Sequence, residues 1–237
     1  MPDILARIGA LPADWPLAGS LRTAVLARIA AHGPFRRSAE TGTGKSTLLL
    51  SHLSDEHTVF TIDDAGHGDS LAAVRASPLL RGAHVTFVVG PSQETLVAHR
   101  FPPLELALID GAHAFPAPQL DYYYLYPHLA PGALLVVDDV HIRSVNDLFR
   151  FLRADAMFTL LEVVDTTAVF RRTDAPAFDP LGDGWWLQRY NELLLPPLAG
   201  LPFARRVMGL LPAGVRAAVR QLRGSHVAAT APRRGPR

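Results

Sequence analysis

The sequence of 237 residues contains no cysteine and very little lysine. Without cysteine the chain forms no disulfide, offers no thiolate to a metal and has no cysteine nucleophile. Of the 23 lysine and arginine residues only Lys45 is a lysine, and it stands inside a glycine-rich stretch. The formal net charge of +1 provides no overall electrostatic attraction to nucleic acid. We therefore expect neither thiol chemistry nor a nucleic-acid partner.

Long apolar runs are also missing, and we expect no secretory leader. No apolar stretch approaches the roughly 20 residues that cross a bilayer. The first residues, MPDILARIGALPADW, lack a basic region followed by an apolar core. Hydrophobic residues make up 49% and charged residues 19%, a balance typical of folded globular proteins. We therefore predict a cytoplasmic protein with one sizeable core and no transmembrane segment.

Apolar strand patterns alternate with helical patterns through the middle of the chain. Strands that are apolar throughout and separated by helices indicate a parallel sheet covered on both faces. Residues 158–173 differ, because they read as two strands joined by a tight turn near Asp165. The pattern predicts a doubly wound α/β domain that ends in an antiparallel hairpin.

Segments of different composition flank this alternating region. We predict an N-terminal helical extension over residues 1–34, the sheet domain over residues 35–175 and a C-terminal extension over residues 176–237. Residues 201–237 carry arginines and no acid. A solvated helix with a basic tail is the simplest interpretation of this segment. Peripheral contact with an anionic membrane, or docking of a second subunit in a homo-oligomer, is the alternative.

The stretch ETGTGKST at residues 40–47 has two interpretations. Its GKS (44–46) matches the end of a phosphate-binding P-loop, and a later apolar strand ends in acids that could help to hold Mg²⁺. However, Ala39 stands where a P-loop has its first glycine, and Glu40 would repel the phosphates. A P-loop nucleotide hydrolase therefore stays the alternative to a site for an adenosyl cofactor.

Three stretches together resemble class I S-adenosylmethionine-dependent methyltransferases: ETGTGKST (40–47), LIDGAHAF (108–115) and LAPGALLVVDD (129–139). They are similar to a bacterial branch with E-x-G-x-x-x-S-T, I-D-G-x-H and D-D motifs, and to metal-dependent sugar and catechol O-methyltransferases. The resemblance implies a Rossmann-like fold with a mostly parallel seven-stranded sheet. It also implies methyl transfer from S-adenosylmethionine to a hydroxyl oxygen of a small molecule, such as a sugar or natural product. A catalytically silent binding module with the same fold is a further alternative.

The resemblance implies a cofactor site at the carboxyl ends of the strands, where ligands of open α/β sheets bind. Glu40 would orient the methionine end of S-adenosylmethionine, partly through water. Asp63 would hold the ribose hydroxyls. The other residues assigned to this site lie in the adjoining loops: Gly42, Gly44, Ser46, Gly90, Ser92 and Asp110.

Carboxylates after the fourth and fifth strands predict a metal site. Asp110, Asp138 and Asp139 offer the oxygen ligands that Mg²⁺ prefers. In the enzymes that the chain resembles, such a metal binds the acceptor hydroxyl. Alternatively, only Asp110 acts and the paired acids merely end a strand. His113 is the predicted general base, and Asp110 and His141 complete the predicted catalytic residues.

Overall fold

The structure is a computed structural model that describes residues 2–13, 15, 21–63, 70–179, 185 and 188–192. The chain divides into two compact units, Met1–Gly184 and Trp185–Arg237. The second unit contains a short helix over Arg189–Glu192. The basic segment 201–237 lies outside the described residues, and with it both its interpretation as a solvated helix with a basic tail and the alternative of membrane or subunit contact. The division at residues 34/35 and 175/176 stays a prediction.

One seven-stranded sheet forms the centre of the first unit. Its strands are β1 (Phe35–Thr41), β2 (Ser54–Thr61), β3 (Val85–Val89), β4 (Leu104–Ile109), β5 (Leu129–Val137), β6 (Phe158–Val164) and β7 (Thr167–Arg172). Their order across the sheet is β3-β2-β1-β4-β5-β7-β6. The first five strands pair in parallel, and β7 runs antiparallel to both β5 and β6. The predicted fold, including the hairpin, is confirmed.

Helices connect the strands and precede the sheet. They are α1 (Pro2–Gly9), α2 (Thr23–His32), α3 (Lys45–Leu53), α4 (Ser70–Ala76), α5 (Ser92–Ala98), α6 (Ala117–Leu125) and α7 (Arg143–Ala154). Short 3₁₀ turns occupy Gly82–His84 and Tyr126–His128. No helix in the described part of the chain is long and apolar enough to cross a membrane.

Alternating side chains of the central strands fill two separate cores. Ala107 and Ile109 of β4 belong to a core that also contains side chains of α5, α6 and α7. Leu106 and Leu108 of the same strand belong to the opposite core, together with side chains of α1, α2, α3 and α4. Because successive residues of a strand point to opposite faces, a strand buried on both faces must be apolar at every position. The N-terminal helices therefore help to cover one face of the sheet.

Two element boundaries have clear physical reasons. β5 begins at Leu129, because Leu129 already pairs with Leu104 of β4. α4 ends at Ala76, because Pro78 follows two residues later. Proline disfavours helical geometry in the residue before it and cannot donate a backbone hydrogen bond.

Candidate active site

A three-residue loop, Gly42 to Gly44, joins β1 to α3 and crosses the end of β4. The backbone of Gly42 has φ of 93°, and its N–H donates to the carbonyl of Phe60 at 2.9 Å. A Cβ atom at Gly42 would lie 2.1 Å from the backbone oxygen of Asp110. Both the positive φ and this close approach require glycine. The loop is therefore held tightly against the strand end that carries Asp110.

Lys45, the single lysine, is buried at the start of α3 and is not available to phosphates. Its Nζ donates to the backbone carbonyl of Pro12 at 2.7 Å. Ala39, at the position of the missing first P-loop glycine, is a buried residue of β1 that pairs with both neighbouring strands. The contact of Lys45 with the N-terminal segment argues against the P-loop interpretation.

Glu40 is fully buried at the end of β1 and bonds through one of its two oxygens. Its Oε1 accepts a hydrogen bond from the Thr47 hydroxyl and lies 3.2 Å from Nε2 of His57. The Thr47 hydroxyl in turn accepts from the backbone N–H of Gly44 at 3.1 Å. Oε2 of Glu40 has no hydrogen-bond partner within the described residues. A buried carboxylate oxygen without a donor is costly, so this atom fits a site that a ligand or water completes.

The ends of β2 and β3 lie side by side and carry further residues predicted to bind the cofactor. Gly90 has φ of 140°, and its N–H donates to the carbonyl of Thr61 at 2.8 Å. Asp63 follows β2 and is exposed, as its predicted contact with ribose hydroxyls requires. Ser46, by contrast, is buried in the first turn of α3. These residues are placed around one cleft edge, and their roles toward a cofactor stay predictions.

Ser92, at the start of α5, donates its hydroxyl to Oδ1 of Asp121 at 2.6 Å. Asp121 is fully buried on α6, and this burial raises the pKa of its carboxyl, while the Ser92 hydrogen bond lowers it. A Cβ atom at Gly111 would lie 3.2 Å from Oδ2 of Asp121 and 3.1 Å from the Thr41 hydroxyl. Nothing in the local sequence pattern around Asp121 indicates this partner on α5.

Asp110, His113 and Asp139 converge after β4 and β5, with ligand atoms within 4.8 Å of one another. Nε2 of His113 lies 3.3 Å from Oδ2 of Asp139 and 3.8 Å from Oδ1 of Asp110. Asp138, the third acid of the predicted metal site, is buried and accepts a hydrogen bond from the Thr167 hydroxyl at the start of β7. The structure thus places His113, rather than Asp138, beside the other two acids.

The electrostatics of this cluster favour a shared proton. Burial raises the pKa of Asp110 to about 7, His113 opposes the rise, and Asp138 and Asp139 add to it. The Asp110 carboxylate raises the pKa of His113, burial opposes that rise, and Asp139 reinforces it. An imidazole between two carboxylates is a stronger base than a free one, because its protonated form is stabilised.

The loops that carry the cluster are fixed by backbone contacts. The Ser144 hydroxyl donates to the backbone carbonyl of His113. Asp139 adopts φ of 54°, a left-handed conformation that is uncommon outside glycine. His141 is more exposed, and its Nδ1 lies 3.5 Å from Oδ1 of Asp139. The predicted catalytic residues therefore lie together, with His141 at the outer edge.

The strand order and the residues at the strand ends define a class I methyltransferase fold, and comparisons with known proteins agree. The structure resembles the O-methyltransferase TomG of Streptomyces achromogenes, solved with SAM, at TM-score 0.54 and 16% identity over 72% of this chain and 90% of that one. It resembles an O-methyltransferase of Bacillus cereus, solved with SAH, at TM-score 0.52 and 16% identity over 73% and 90%. The SAH-bound methyltransferase PaMTH1 of Podospora anserina gives TM-score 0.54 and 17% identity over 73% and 89%.

More particularly, residues 39–140 match the sequence model of a family described as a methyltransferase domain. None of the curated proteins matches the chain. The matched segment runs from β1 to the residue after Asp139 and so contains every strand end of the candidate site. Residues 39–140 are thus similar to a methyltransferase domain, and the resemblance predicted from the three motifs is confirmed.

Proposed function

We propose that this protein transfers a methyl group from S-adenosylmethionine to a hydroxyl oxygen of a small molecule, such as a sugar or natural product. The observation that carries the proposal is the position of His113. A base held between two acids stands after β4, and the backbone of Asp110 on the same loop contacts the glycine loop directly. Cofactor loop and proton acceptor are therefore neighbours.

The residues present fit the cofactor. Gly42 lets the loop lie closer to the end of β4 than any Cβ would allow, and Oε2 of Glu40 is a buried acceptor without a donor among the described residues. The ammonium group at the methionine end of S-adenosylmethionine would supply that donor, directly or through water. Asp63 would accept hydrogen bonds from the ribose hydroxyls, as predicted.

The reaction needs one proton acceptor. The acceptor oxygen forms a bond to the methyl carbon, while the carbon–sulfur bond breaks and leaves its electron pair on sulfur. The hydroxyl proton moves to Nε2 of His113, and Asp110 and Asp139 stabilise the imidazolium that results. General base catalysis of this kind contributes about 10²- to 10⁴-fold in rate.

A divalent cation also fits this cluster. Asp110, Asp139 and His113 would hold it, since one atom of each lies within 4.8 Å of the others. A bound cation would lower the pKa of an acceptor hydroxyl. Because one ligand is an imidazole, the set suits Mn²⁺, Fe²⁺ or Zn²⁺ better than Mg²⁺, which prefers oxygen. Asp138 of the predicted Mg²⁺ site lies outside this group of ligand atoms and bonds to Thr167 through Oδ1.

Titration calorimetry with S-adenosylmethionine, S-adenosylhomocysteine and Mg-ATP tests the cofactor. We expect both adenosyl compounds to bind and Mg-ATP not to bind. Binding of Mg-ATP alone would refute the proposal in favour of the P-loop interpretation, and failure to bind any of the three would favour the silent binding module.

Methyl transfer to a panel of hydroxylated sugars and phenols, with and without EDTA, separates the two roles of His113. Its Nε2 cannot ligate a cation and accept the proton at once. If His113 is the base, His113→Asn lowers kcat about 10²- to 10⁴-fold, EDTA has no effect, and cofactor affinity is retained. If EDTA abolishes turnover, the cluster is a cation site instead.

Manganese titration then identifies the ligands of any cation. We expect Asp139→Asn to weaken Mn²⁺ binding at least about tenfold, as loss of a direct charged ligand should. Asp138→Asn is the matched control and should change the affinity little, because Asp138 lies outside the group of ligand atoms and bonds to Thr167 through Oδ1. The opposite ranking would restore the predicted site with Asp138.

A further inference from the structure

We infer that His57 is a positioning residue for the cofactor, because it holds Glu40 in place for the amino-acid end of S-adenosylmethionine. The inference rests on the proposed function and extends it to a residue of β2 that does not line the cleft itself. His57 and Glu40 side chains are both completely shielded from solvent.

A continuous series of hydrogen-bonded polar side chains links His57 and Glu40 to their buried polar neighbours. Nε2 of His57 lies 3.2 Å from Oε1 of Glu40, and Nδ1 lies 2.7 Å from the Ser38 hydroxyl. The Ser38 hydroxyl lies 2.6 Å from that of Ser54. Thr47 completes the chain from the other side, since it donates to the same oxygen of Glu40. This series of hydrogen bonds connects β1, β2 and α3 beneath the glycine loop.

This series of hydrogen bonds determines which oxygen of Glu40 has no partner among the described residues. A carboxylate is only an acceptor, so Nε2 of His57 must carry the proton that lies toward Oε1. Nδ1 can then donate to Ser38 or accept from it, and the Ser38–Ser54 pair can adapt to either state. With two donors on Oε1, the carboxylate is fixed and Oε2 is the oxygen left without a partner.

A buried carboxylate held in this way is preorganised for a cationic ligand. Without His57, Glu40 would keep only the Thr47 donor and would rotate more freely about its terminal bond. Preorganisation lowers the entropy lost when a ligand binds. His57 should therefore affect binding of the ammonium-bearing end of the cofactor, and should leave binding of the adenosine end unchanged.

Two ligands separate these ends. S-adenosylhomocysteine carries the amino-acid end, whereas 5′-methylthioadenosine has the adenosine and sulfur without it. We expect His57→Leu to weaken S-adenosylhomocysteine about tenfold or more, the usual size for a lost hydrogen bond to a buried charge, and to leave 5′-methylthioadenosine within about twofold. Glu40→Gln should show the same selectivity, and the double variant should be no worse than Glu40→Gln alone.

Two further variants guard against a merely structural effect. His57→Gln retains an N–H that can reach Glu40 and should recover part of the selectivity. His52→Leu removes a histidine of α3, whose Nε2 contacts the carbonyl of Leu79 at 2.8 Å, and should change neither affinity. Equal weakening of both ligands by His57→Leu would overturn the inference, as would additive effects in the double variant.

A spectroscopic measurement covers the case in which His57→Leu does not fold. The ¹⁵N shifts of the His57 ring, assigned by comparison with His57→Gln, should show a protonated Nε2 in the wild-type protein. An unprotonated Nε2 would overturn the inference. If the wild-type protein binds no S-adenosylhomocysteine, the proposed function fails and this inference fails with it. Binding with unchanged selectivity in the variants would overturn the inference alone.

Discussion

Replacing Lys45 by methionine tests what the single lysine does. The methionine keeps an apolar stem of similar length and removes only the ammonium group. In the structure this group donates to the carbonyl of Pro12 from a position where Lys45 is only 7% exposed. The contact joins α3 to the N-terminal segment, so its loss should loosen that segment rather than the cofactor site.

The size of the effect follows from the type of bond. A hydrogen bond from a charged donor contributes about 1.5–3 kcal/mol to the free energy of unfolding when it is shielded from water. With a urea dependence of about 1–3 kcal/mol per molar, the unfolding midpoint of Lys45→Met should fall by about 1 M. Arg143→Met is the control, because the Arg143 side chain is exposed and its ion pair is with Asp147, one turn along α7. Its free energy of unfolding should change by no more than about 0.5 kcal/mol.

Urea unfolding and calorimetry on the same samples give the answer. We expect Lys45→Met to lose stability and to bind S-adenosylhomocysteine within a few-fold of wild type. The reasoning is refuted if Lys45→Met is as stable as Arg143→Met. It is also refuted if the wild-type protein binds Mg-ATP and Lys45→Met no longer does, since that result would assign Lys45 to phosphate binding.

Two further perturbations address the glycine loop and the buried acid of α6. Gly42→Ala should abolish S-adenosylhomocysteine binding, whereas Gly132→Ala, also at positive φ but with no atom within 4 Å of the added Cβ, should lose only about 1 kcal/mol of stability and bind normally. Equal effects of the two alanines would refute the role of the close approach to Asp110. The pKa of Asp121 is raised in the folded protein, so the unfolded chain loses this proton first as the pH rises above about 4. The wild-type protein therefore loses stability until the pH passes the folded-state pKa. Asp121→Asn has no such proton to lose, so its stability should rise relative to that of the wild type over this pH range. Urea unfolding at several pH values checks this, and a stability difference that does not change with pH would contradict it.

The sequence predicted the sheet and the strand ends well because both depend on local patterns. Strands that are buried on both faces must be apolar, so the residue at which a polar or glycine position follows is visible in the sequence. Asp110 and Asp139 are visible in this way, whereas Glu40 is visible from the glycine-rich stretch that follows it. Their convergence followed from the rule that parallel strands present their carboxyl ends at one edge.

The sequence predicts Asp138 beside the other two acids, but His113 lies there instead. This difference shows the limit of reasoning from the strand ends. Neighbouring residues at the end of a strand point to opposite sides, so Asp138 and Asp139 do not both face the cleft unless the backbone turns. The left-handed conformation at Asp139 and the hydroxyl of Thr167 decide which acid faces where. Thr167 belongs to an antiparallel strand far along the chain, and no local pattern indicates that it contacts Asp138.

His57 illustrates the same limit for buried polar groups. Nothing in the local sequence around a histidine in a strand indicates its hydrogen-bond partner. Only the parallel pairing of β1 with β2 brings His57 next to Ser38. One indication was present, because β1 reads FRRSAET and is unusually polar for a central strand. Three of its polar residues have side-chain partners on β2 or α3: Arg37 with Glu56 at 2.9 Å, Ser38 with His57, and Glu40 with Thr47.

The distribution of these polar residues connects the fold to the proposed chemistry. On the same side of the sheet, β4 and β5 contribute only apolar side chains to the core: Leu106, Leu108, Leu134 and Val136. Beneath the glycine loop the layer contains instead a carboxylate, an imidazole and hydroxyls, all buried. Apolar residues of similar size would stabilise the fold at least as well, because buried charges lose their hydration. Stability of the core alone would not require these buried polar side chains to be concentrated beneath one loop. The polarity is therefore better explained by a ligand that this loop binds, and the unpartnered oxygen of Glu40 indicates that the ligand brings a hydrogen-bond donor.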